Sequence, residues 1–243
     1  MAELTSPYAG CPGASAQAIY DARSRAEQVR QLREVAADAA WRAEVTRIHP
    51  VLGRLVRLAR PRPAFGDEPQ PVRAWAVGAA AERETGAVLN RCRRVVALHD
   101  RSIIGSRANI DHVAVGRSGV FVIDTKAYRT TVEVARVGGL LLSRNCLLVS
   151  GSERADLIET LEWQVGIVRR IVERHHTGPR PVPVAGALCF VGASGLPPVP
   201  VRVDDAWIVD RGSLPPLVRR RGPLCKHEVA DLAGVLSRAL PPR

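Results

Sequence analysis

The chain has 243 residues, of which 46% are hydrophobic and 24% are charged. This length suits one moderate domain with an appendage, and the apolar fraction excludes an intrinsically disordered chain. Lys and Arg outnumber Asp and Glu by 35 to 24, which gives a formal net charge of +11. Such an excess is typical of proteins with polyanionic partners, nucleic acid first and anionic membrane second. An Arg-, Ala- and Gly-rich composition also reflects genomic base content, so the charge alone does not decide between them.

The five cysteines are widely spaced and form no C-x-x-C pair. They therefore predict neither a zinc ribbon nor a disulfide framework, and Cys92 and Cys189 lie in apolar segments typical of buried thiols. The first ten residues lack the basic-then-apolar pattern of a secretory signal, and no apolar run reaches the roughly 18 residues that span a bilayer. We therefore expect a cytoplasmic protein with no stable membrane insertion.

The N-terminal third is predicted to form a helical arm in front of the main domain. Residues 1–14 are small and rich in Pro and Gly, which predicts disorder, and residues 15–60 carry helical periodicity interrupted at Pro50. Residues 51–60 form a basic amphipathic segment. It suits a nucleic-acid or membrane-surface arm, although a helix packed on the domain is favoured. The prolines of residues 61–73 predict a linker.

Residues 74–243 are predicted to form one α/β domain. Its first helix, 74–95, buries a stripe that contains Thr85, Leu89 and Cys92. The other predicted elements are a strand at 95–98, a polar connection at 99–109, two strands of the same sheet at 130–134 and 139–149, a helix at 154–175, strands at 183–191 and 206–209, a basic loop at 213–223 and a helix at 226–240.

A β-hairpin is predicted between residues 109 and 126, where two Val- and Ile-rich runs flank a Gly-bounded turn. If Arg117 and Ser118 form a two-residue loop, pairing outward from them places Asp111 opposite Asp124. Side chains directly opposed on antiparallel strands have their Cβ atoms about 4.5–5.5 Å apart. The hairpin therefore brings two carboxylates together within otherwise apolar strands.

Lys126 follows Asp124 by two residues and so leaves the same face of its strand. Two opposed carboxylates destabilise a half-buried sheet unless their charge is compensated, and Lys126 neutralises only one of them. A hard divalent cation such as magnesium binds carboxylate oxygens and would compensate both. The alternative is that Asp111 ends a strand while Asp124 and Lys126 form an ordinary surface ion pair.

The hairpin resembles the core of the nuclease-related (NERD) domain, a family of the PD-(D/E)XK superfamily. The resemblance rests on residues 110–112 and 119–126, on Gly78 to Glu82, which resembles a Gly-x-x-Gly-Glu helix start, and on Gln164 downstream. It covers roughly residues 75–172. Two positions depart from the pattern: Asp124 stands where the family more often has Glu, and Ala81 replaces the usual Gly. The resemblance implies an α/β fold with a restriction-endonuclease-like core, a mixed central sheet flanked by helices.

The same resemblance implies a metal-dependent nuclease that hydrolyses phosphodiester bonds of DNA or RNA. Magnesium or manganese would be bound by Glu82, Asp111 and Asp124, while Lys126 would orient or activate the attacking water. Helical periodicity alone does not separate Glu82 from Glu84, which lies on the opposite flank of the buried stripe. The site residues that the resemblance implies are Glu82, Asp111, Asp124, Lys126 and Gln164.

Nucleic acid, with DNA favoured, is the expected partner, and Arg219, Arg220 and Arg221 are candidates for phosphate contacts. The same three arginines also suit a solvated loop. The competing interpretation of the whole domain is a catalytically silent nucleic-acid-binding or protein-interaction module on the same fold. Several members of the superfamily work as dimers, so a homodimer is a further possibility.

Overall fold

The computed structural model describes residues 10–51, 66–138, 143–178 and 180–243. The chain divides into two compact units, one made of Met1–Ser15 with Val77–Arg243 and the other of Ala16–Ala76. The helices are α1 (Ala14–Ile48), α2 (Gln70–Asn90), α3 (Ala155–His175), α4 (Leu214–Val218) and α5 (Lys226–Ala239). The strands are β1 (Val96–Ser102), β2 (Asn109–Gly116), β3 (Gly119–Ala127), β4 (Val132–Gly138), β5 (Ser143–Val149), β6 (Ser152–Glu153), β7 (Val184–Val191), β8 (Val201–Val203) and β9 (Ala206–Asp210).

The main sheet has six strands in the order β1-β2-β3-β7-β9-β8. Strands β1, β2 and β3 form an antiparallel meander, β3 pairs in parallel with β7, β7 pairs in parallel with β9, and β8 is antiparallel to β9. The connection from β3 to β7 contains α3, because parallel neighbours need a crossover. The sheet is therefore mixed, as predicted.

Helices cover both faces of this sheet. On one face, α3 and α5 contribute Leu161 and Leu236 to a core shared with Leu188 of β7. On the other face, Leu89 of α2 packs into a second core that also holds Leu217 of α4. Strand β7 is buried on both sides, which explains its nearly continuous apolar sequence. The predicted α/β class is confirmed, with the helix-flanked mixed sheet of a restriction-endonuclease-like core.

The predicted hairpin is present in the predicted register. Gly116 pairs with Gly119, so Arg117 and Ser118 form the two-residue loop. Gly119 has a φ of 131°, and a Cβ at this position would meet the carbonyl oxygen of Pro183 at 2.2 Å. Glycine is therefore required where β3 begins beside the segment that enters β7.

Two parts of the sheet prediction are corrected. Strands β4, β5 and β6 form a separate three-stranded sheet with β5 in the middle, because the second edge of β3 is occupied by β7. Strand β1 extends to Ser102 and β2 begins at Asn109, so the polar connection predicted at 99–109 is reduced to residues 103–108. The polar residues His99, Asp100 and Arg101 are all buried, which concealed this strand in the sequence.

The N-terminal segment differs in part from its prediction. Residues 10–14, predicted to be disordered, pack on the main unit, and a Cβ on Gly13 would meet the carbonyl oxygen of Ala79 at 2.6 Å. Residues 1–9 lie outside the described residues, as do 52–60 of the basic helix and 61–65 of the linker. The last four residues of that predicted linker, 70–73, belong to α2.

All five cysteines are free thiols, and Cys92 and Cys189 are buried as predicted. In the ranges that the structure describes, no helix has the length and apolar character needed to cross a bilayer.

Candidate active site

The two hairpin aspartates lie at the open end of β2 and β3, just beyond the last regular pair, His112 with Ile123. Here the backbone N–H of Thr125 donates a 2.8 Å hydrogen bond to Oδ2 of Asp111. The Asp111 carboxylate thus accepts a hydrogen bond from the backbone of β3 at the point where the regular pairing of β2 with β3 has ended. This bond fixes the Asp111 carboxylate beside the residue that follows Asp124.

Lys126 binds Asp124 directly, with Nζ 2.8 Å from Oδ2. The side chain of Lys126 is 26% exposed and that of Asp124 only 8%, so the pair sits at the mouth of the site. Burial lowers the pKa of Lys126, but the Asp124 carboxylate outweighs burial and raises that pKa above its usual value. Lys126 is therefore an ammonium group at neutral pH, a hydrogen-bond donor rather than a base.

Glu82 of α2 completes the acidic group. Burial, followed by the carboxylates of Asp100 and Asp124, raises the pKa of Glu82 to about 7. Its buried Oε2 atom has no hydrogen-bond partner within the described ranges. Glu84 points elsewhere, since it is exposed and paired with Arg211. The structure thus separates the two glutamates that periodicity could not, and it is Glu82 that faces the hairpin acids.

Asp111 shows the same mutual repulsion. Burial, then the charges of Asp124 and Glu82, raise its pKa well above the ordinary range, against the opposing effects of the Thr125 N–H and Lys126. Because each acid perturbs another, Glu82, Asp111, Asp124 and Lys126 form one electrostatic group. The sequence-predicted charged residues are therefore brought together.

Gln164 lies on α3 and is buried, and its side chain hydrogen-bonds to the backbone of β2. Its Nε2 donates to the carbonyl oxygen of Asn109 at 3.2 Å, while its buried Oε1 has no partner among the described residues. Asn109 begins β2, two residues before Asp111. Gln164 is thus placed to hold the start of the strand that carries Asp111.

Asp100 is a neighbouring acid that the sequence did not single out. Its carboxylate accepts hydrogen bonds from the Ser15 N–H and hydroxyl, each at 2.7 Å, and from Asn109 Nδ2 at 3.0 Å. Its backbone is left-handed, with a φ of 49°, which is uncommon outside glycine. Its charge helps to raise the pKa of Glu82. The only sequence signal was an acid within a run of polar residues directly after apolar ones.

A buried histidine pair, His99 of β1 and His112 of β2, directly precedes Asp100 and directly follows Asp111 along the chain. The Nδ1 atoms of His99 and His112 are 2.9 Å apart, and His99 Nε2 lies 2.9 Å from Oδ1 of Asn90. Burial lowers the pKa of His99 to about 4 and that of His112 well below its usual value. Both rings are therefore neutral at physiological pH and supply no positive charge to the carboxylates.

The carboxylates fit a hard divalent cation in chemistry and charge. The pKa values of Glu82 and Asp111 are raised by burial and by neighbouring carboxylates, and the buried Oε2 of Glu82 lacks a donor among the described residues; these are groups that such a cation would satisfy. The three carboxylates do not form a preformed metal site. Across the described part of the chain, no three His, Cys, Asp or Glu side chains are close enough together to hold a metal ion. Lys126 instead neutralises Asp124.

Comparison with known proteins gives one match. Residues 77–191 match the family described as nuclease-related domain, NERD, and this range contains all five predicted site residues. No curated protein and no solved structure matches the chain. Over residues 77–191 the chain therefore carries a nuclease-related domain, a family placed in the PD-(D/E)XK superfamily.

Proposed function

We propose that this domain is a nuclease that hydrolyses phosphodiester bonds of DNA or RNA with magnesium or manganese as its cofactor. The observation that carries the proposal is the gathering of Glu82, Asp111 and Asp124 around Lys126 at the open end of the hairpin. Carboxylates held at the expense of raised pKa values are typical of functional sites. The family match supports the same class of chemistry.

Glu82, Asp111 and Asp124 would hold the cation, assisted by the carbonyl of Thr125. A magnesium ion bound there would polarise the phosphoryl group and lower the pKa of a bound water. The protein's own contribution is to hold three oxygen donors on separate elements, with Glu82 of α2 and Asp124 of β3 buried and Asp111 of β2 half-buried. Because Glu82 has a pKa of about 7, it carries a proton in a large fraction of molecules near neutral pH and must release it before it can bind a cation.

Lys126 would stabilise the negative charge that develops on the phosphoryl oxygens. Its raised pKa keeps it protonated, so it acts by donating hydrogen bonds and orienting water rather than by removing a proton. The ion pair with Asp124 holds the ammonium group at the mouth of the site. Gln164 would position Asp111 through its bond to the Asn109 carbonyl.

The test is cleavage of plasmid DNA, single-stranded DNA and RNA with magnesium or manganese, compared with the same reactions in chelator. We expect Asp124→Asn and Lys126→Met each to reduce the cleavage rate by about 100-fold or more, because the first removes a ligand of the cation and the second removes the positive charge that faces the reacting phosphate. The matched control is Glu84→Gln, which removes an exposed carboxylate from the same helix as Glu82. Cleavage that persists in both site variants, with circular dichroism showing intact folding, would refute the proposed site.

The second candidate is a binding module without hydrolysis. Two observations favour it: Lys126 forms an ion pair with Asp124, and in the described ranges no three acids are close enough together to form a metal site. In that case wild-type protein would cleave nothing but would bind nucleic acid in a salt-sensitive way. Asp124→Asn would then bind at least as tightly as wild type, since it removes a negative charge from the surface that meets the phosphates.

A further inference from the structure

A concave pocket of about 620 Å³ lies at the closed end of the hairpin, where Arg117 forms part of the turn. Arg93 and Arg94, which follow α2, line it from one side, and residues 219–221, which follow α4, line it from another. Six arginines from three separate chain segments therefore surround one cavity. The sequence pointed only to the last three of them.

Backbone contacts hold this pocket in shape. The Leu224 N–H donates to the carbonyl oxygen of Arg117 at 3.0 Å, and Nε of Arg117 donates back to the carbonyl oxygen of Leu224 at 3.3 Å. A Cβ on Gly222 would lie 2.3 Å from Cα of Ser118, so glycine allows the loop to rest directly on the turn. The pocket is thus a built feature of the fold rather than a chance approach of flexible side chains.

Two arginines of the pocket are held in defined conformations. The guanidinium of Arg220 lies 4.7 Å from the centre of the Trp207 ring, a cation–π contact that fixes its plane. Arg94 has a left-handed backbone with a φ of 66°. A non-glycine residue in that region is uncommon, and such backbone conformations cluster at ligand sites.

Within the described residues, no carboxylate forms an ion pair with an arginine of the pocket. Elsewhere in the described chain, arginines such as Arg30, Arg144 and Arg154 pair with carboxylates. Among the ion pairs of the described residues, none involves the six arginines of the pocket. Concentrated positive charge in a concave surface attracts anions, and the planar guanidinium group binds phosphate oxygens in pairs.

The pocket lies well away from the carboxylates. Asp111 and Asp124 are each five residues along their strands from Gly116 and Gly119, which corresponds to roughly 17 Å at 3.3–3.4 Å per residue. One phosphodiester cannot occupy both places. A nucleic-acid backbone that contacts both places must therefore span several nucleotides.

We propose that the six-arginine pocket is a second phosphate-binding site, which holds the backbone of a nucleic-acid strand several nucleotides from the bond that meets the carboxylates. This inference rests on the proposed nuclease function for its second point of contact. Six guanidinium groups exceed what one phosphate can bind, which favours a run of backbone phosphates over a single free anion. The pocket would supply affinity and orientation without base specificity.

The test measures binding of a DNA duplex of about 20 base pairs by fluorescence anisotropy in chelator, over a range of salt concentrations. The pocket variant is Arg219→Gln/Arg221→Gln, which spares the structural contacts of Arg117 and Arg220. The control is Arg170→Gln/Arg174→Gln, which removes the same charge from the exposed face of α3. Both variants are checked by their melting temperatures.

We expect the pocket variant to bind about tenfold or more weakly at moderate salt and to lower the slope of log Kd against log salt by about 2, since each phosphate contact contributes about 0.9. The control should change affinity by less than about twofold, because it removes only distant charge. Equal losses in the two variants, or no duplex binding by wild type, would overturn the proposal. Inorganic pyrophosphate that binds wild type but not the pocket variant, without duplex binding, would overturn it in favour of a free phosphate anion.

The two proposals fail in different ways. If Asp124-dependent cleavage occurs but the pocket variant binds duplex as well as the control does, the nuclease function stands and the second site is refuted. If duplex binding depends on the pocket but no metal produces cleavage, the phosphate-binding site stands and the hydrolysis is refuted.

Discussion

At the scale of single residues, burial raises the pKa values of two acids of the site. Glu82 has its pKa raised to about 7, and Asp111 has its pKa raised well above the usual range, both chiefly through burial. A pKa shift is a difference in interaction free energy between two protonation states, so these residues make the folded state depend on pH. Ionised carboxylates at these positions therefore destabilise the folded state.

Glu82→Gln should stabilise the metal-free protein at alkaline pH. The folded-state pKa of about 7 lies above the unfolded value of 4.5, so Glu82 binds its proton more tightly when folded. The stability that it contributes is complete below pH 4.5 and is lost as the pH rises through about 7. The difference in the free energy of unfolding between Glu82→Gln and wild type should therefore be more favourable to the variant near pH 8 than in acid, by up to about 3 kcal/mol. Urea unfolding in chelator at a series of pH values measures this difference.

Glu84→Gln is the matched control for that experiment, because Glu84 is exposed and lies on the same helix. It should show no comparable dependence on pH. Addition of magnesium should raise the melting temperature of wild type and of Glu84→Gln more than that of Glu82→Gln, which has one fewer anionic ligand. A flat pH profile for the difference between Glu82→Gln and wild type would contradict the burial of an ionisable group there.

The sequence predicted some site residues better than others, for physical reasons. Asp111, Asp124 and Lys126 lie in one hairpin, so turn length and strand alternation place them without long-range information. Glu82 and Glu84 flank the same buried stripe, and only the packing of α2 distinguishes them. Asp100 was missed because its role depends on Ser15, 85 positions away in the chain.

At the scale of elements, the hairpin and its neighbour β7 meet at Gly119. Gly119→Ala should destabilise the fold strongly, because it adds both a left-handed backbone strain and a collision with the Pro183 carbonyl oxygen 2.2 Å away. The expected loss is about 3 kcal/mol or more in the free energy of unfolding. Thermal and urea unfolding followed by circular dichroism measure it.

Gly105→Ala separates strain from collision, since Gly105 also has a positive φ, of 81°, but no atom would lie within 4 Å of an added Cβ. This control should lose only about 1 kcal/mol. Similar losses in the two variants would show that the contact between β3 and the start of β7 tolerates displacement.

The pairing of the neighbouring strands β2 and β3 was predicted correctly, whereas strand pairings between distant segments of the chain were not. The β2–β3 hairpin is local, and its Gly-bounded turn specifies the register. The placement of β4 and β5 was wrong because it depends on which strand occupies the second edge of β3. That strand is β7, whose pairing with β3 joins Val120 to Val184 across 64 positions. No local pattern reports such a parallel pairing.

At the scale of the whole molecule, the nuclease-related match ends at residue 191, but the folded unit does not. Residues beyond it supply β8 and β9 to the sheet and α5 to one face. They also supply acceptors for Arg101, whose fully buried guanidinium donates to the carbonyl oxygens of Ser237 and Leu240 at 2.8 and 2.6 Å. The strand that carries Asp100 therefore depends on the C-terminal segment for both packing and charge solvation.

A chain that ends at residue 224 should lose cooperative unfolding. It lacks Leu232, Leu236 and Leu240, three buried core side chains worth about 2 kcal/mol each, against a typical net stability of about 5–15 kcal/mol. It also lacks the Ser237 and Leu240 acceptors of Arg101, so adding Arg101→Met to the shortened chain should partly restore stability. In the complete chain the same substitution should destabilise or be neutral. Calorimetry of the four proteins measures both effects, and a sharp melting transition in the shortened chain near that of wild type would show that the fold closes without its C-terminal segment.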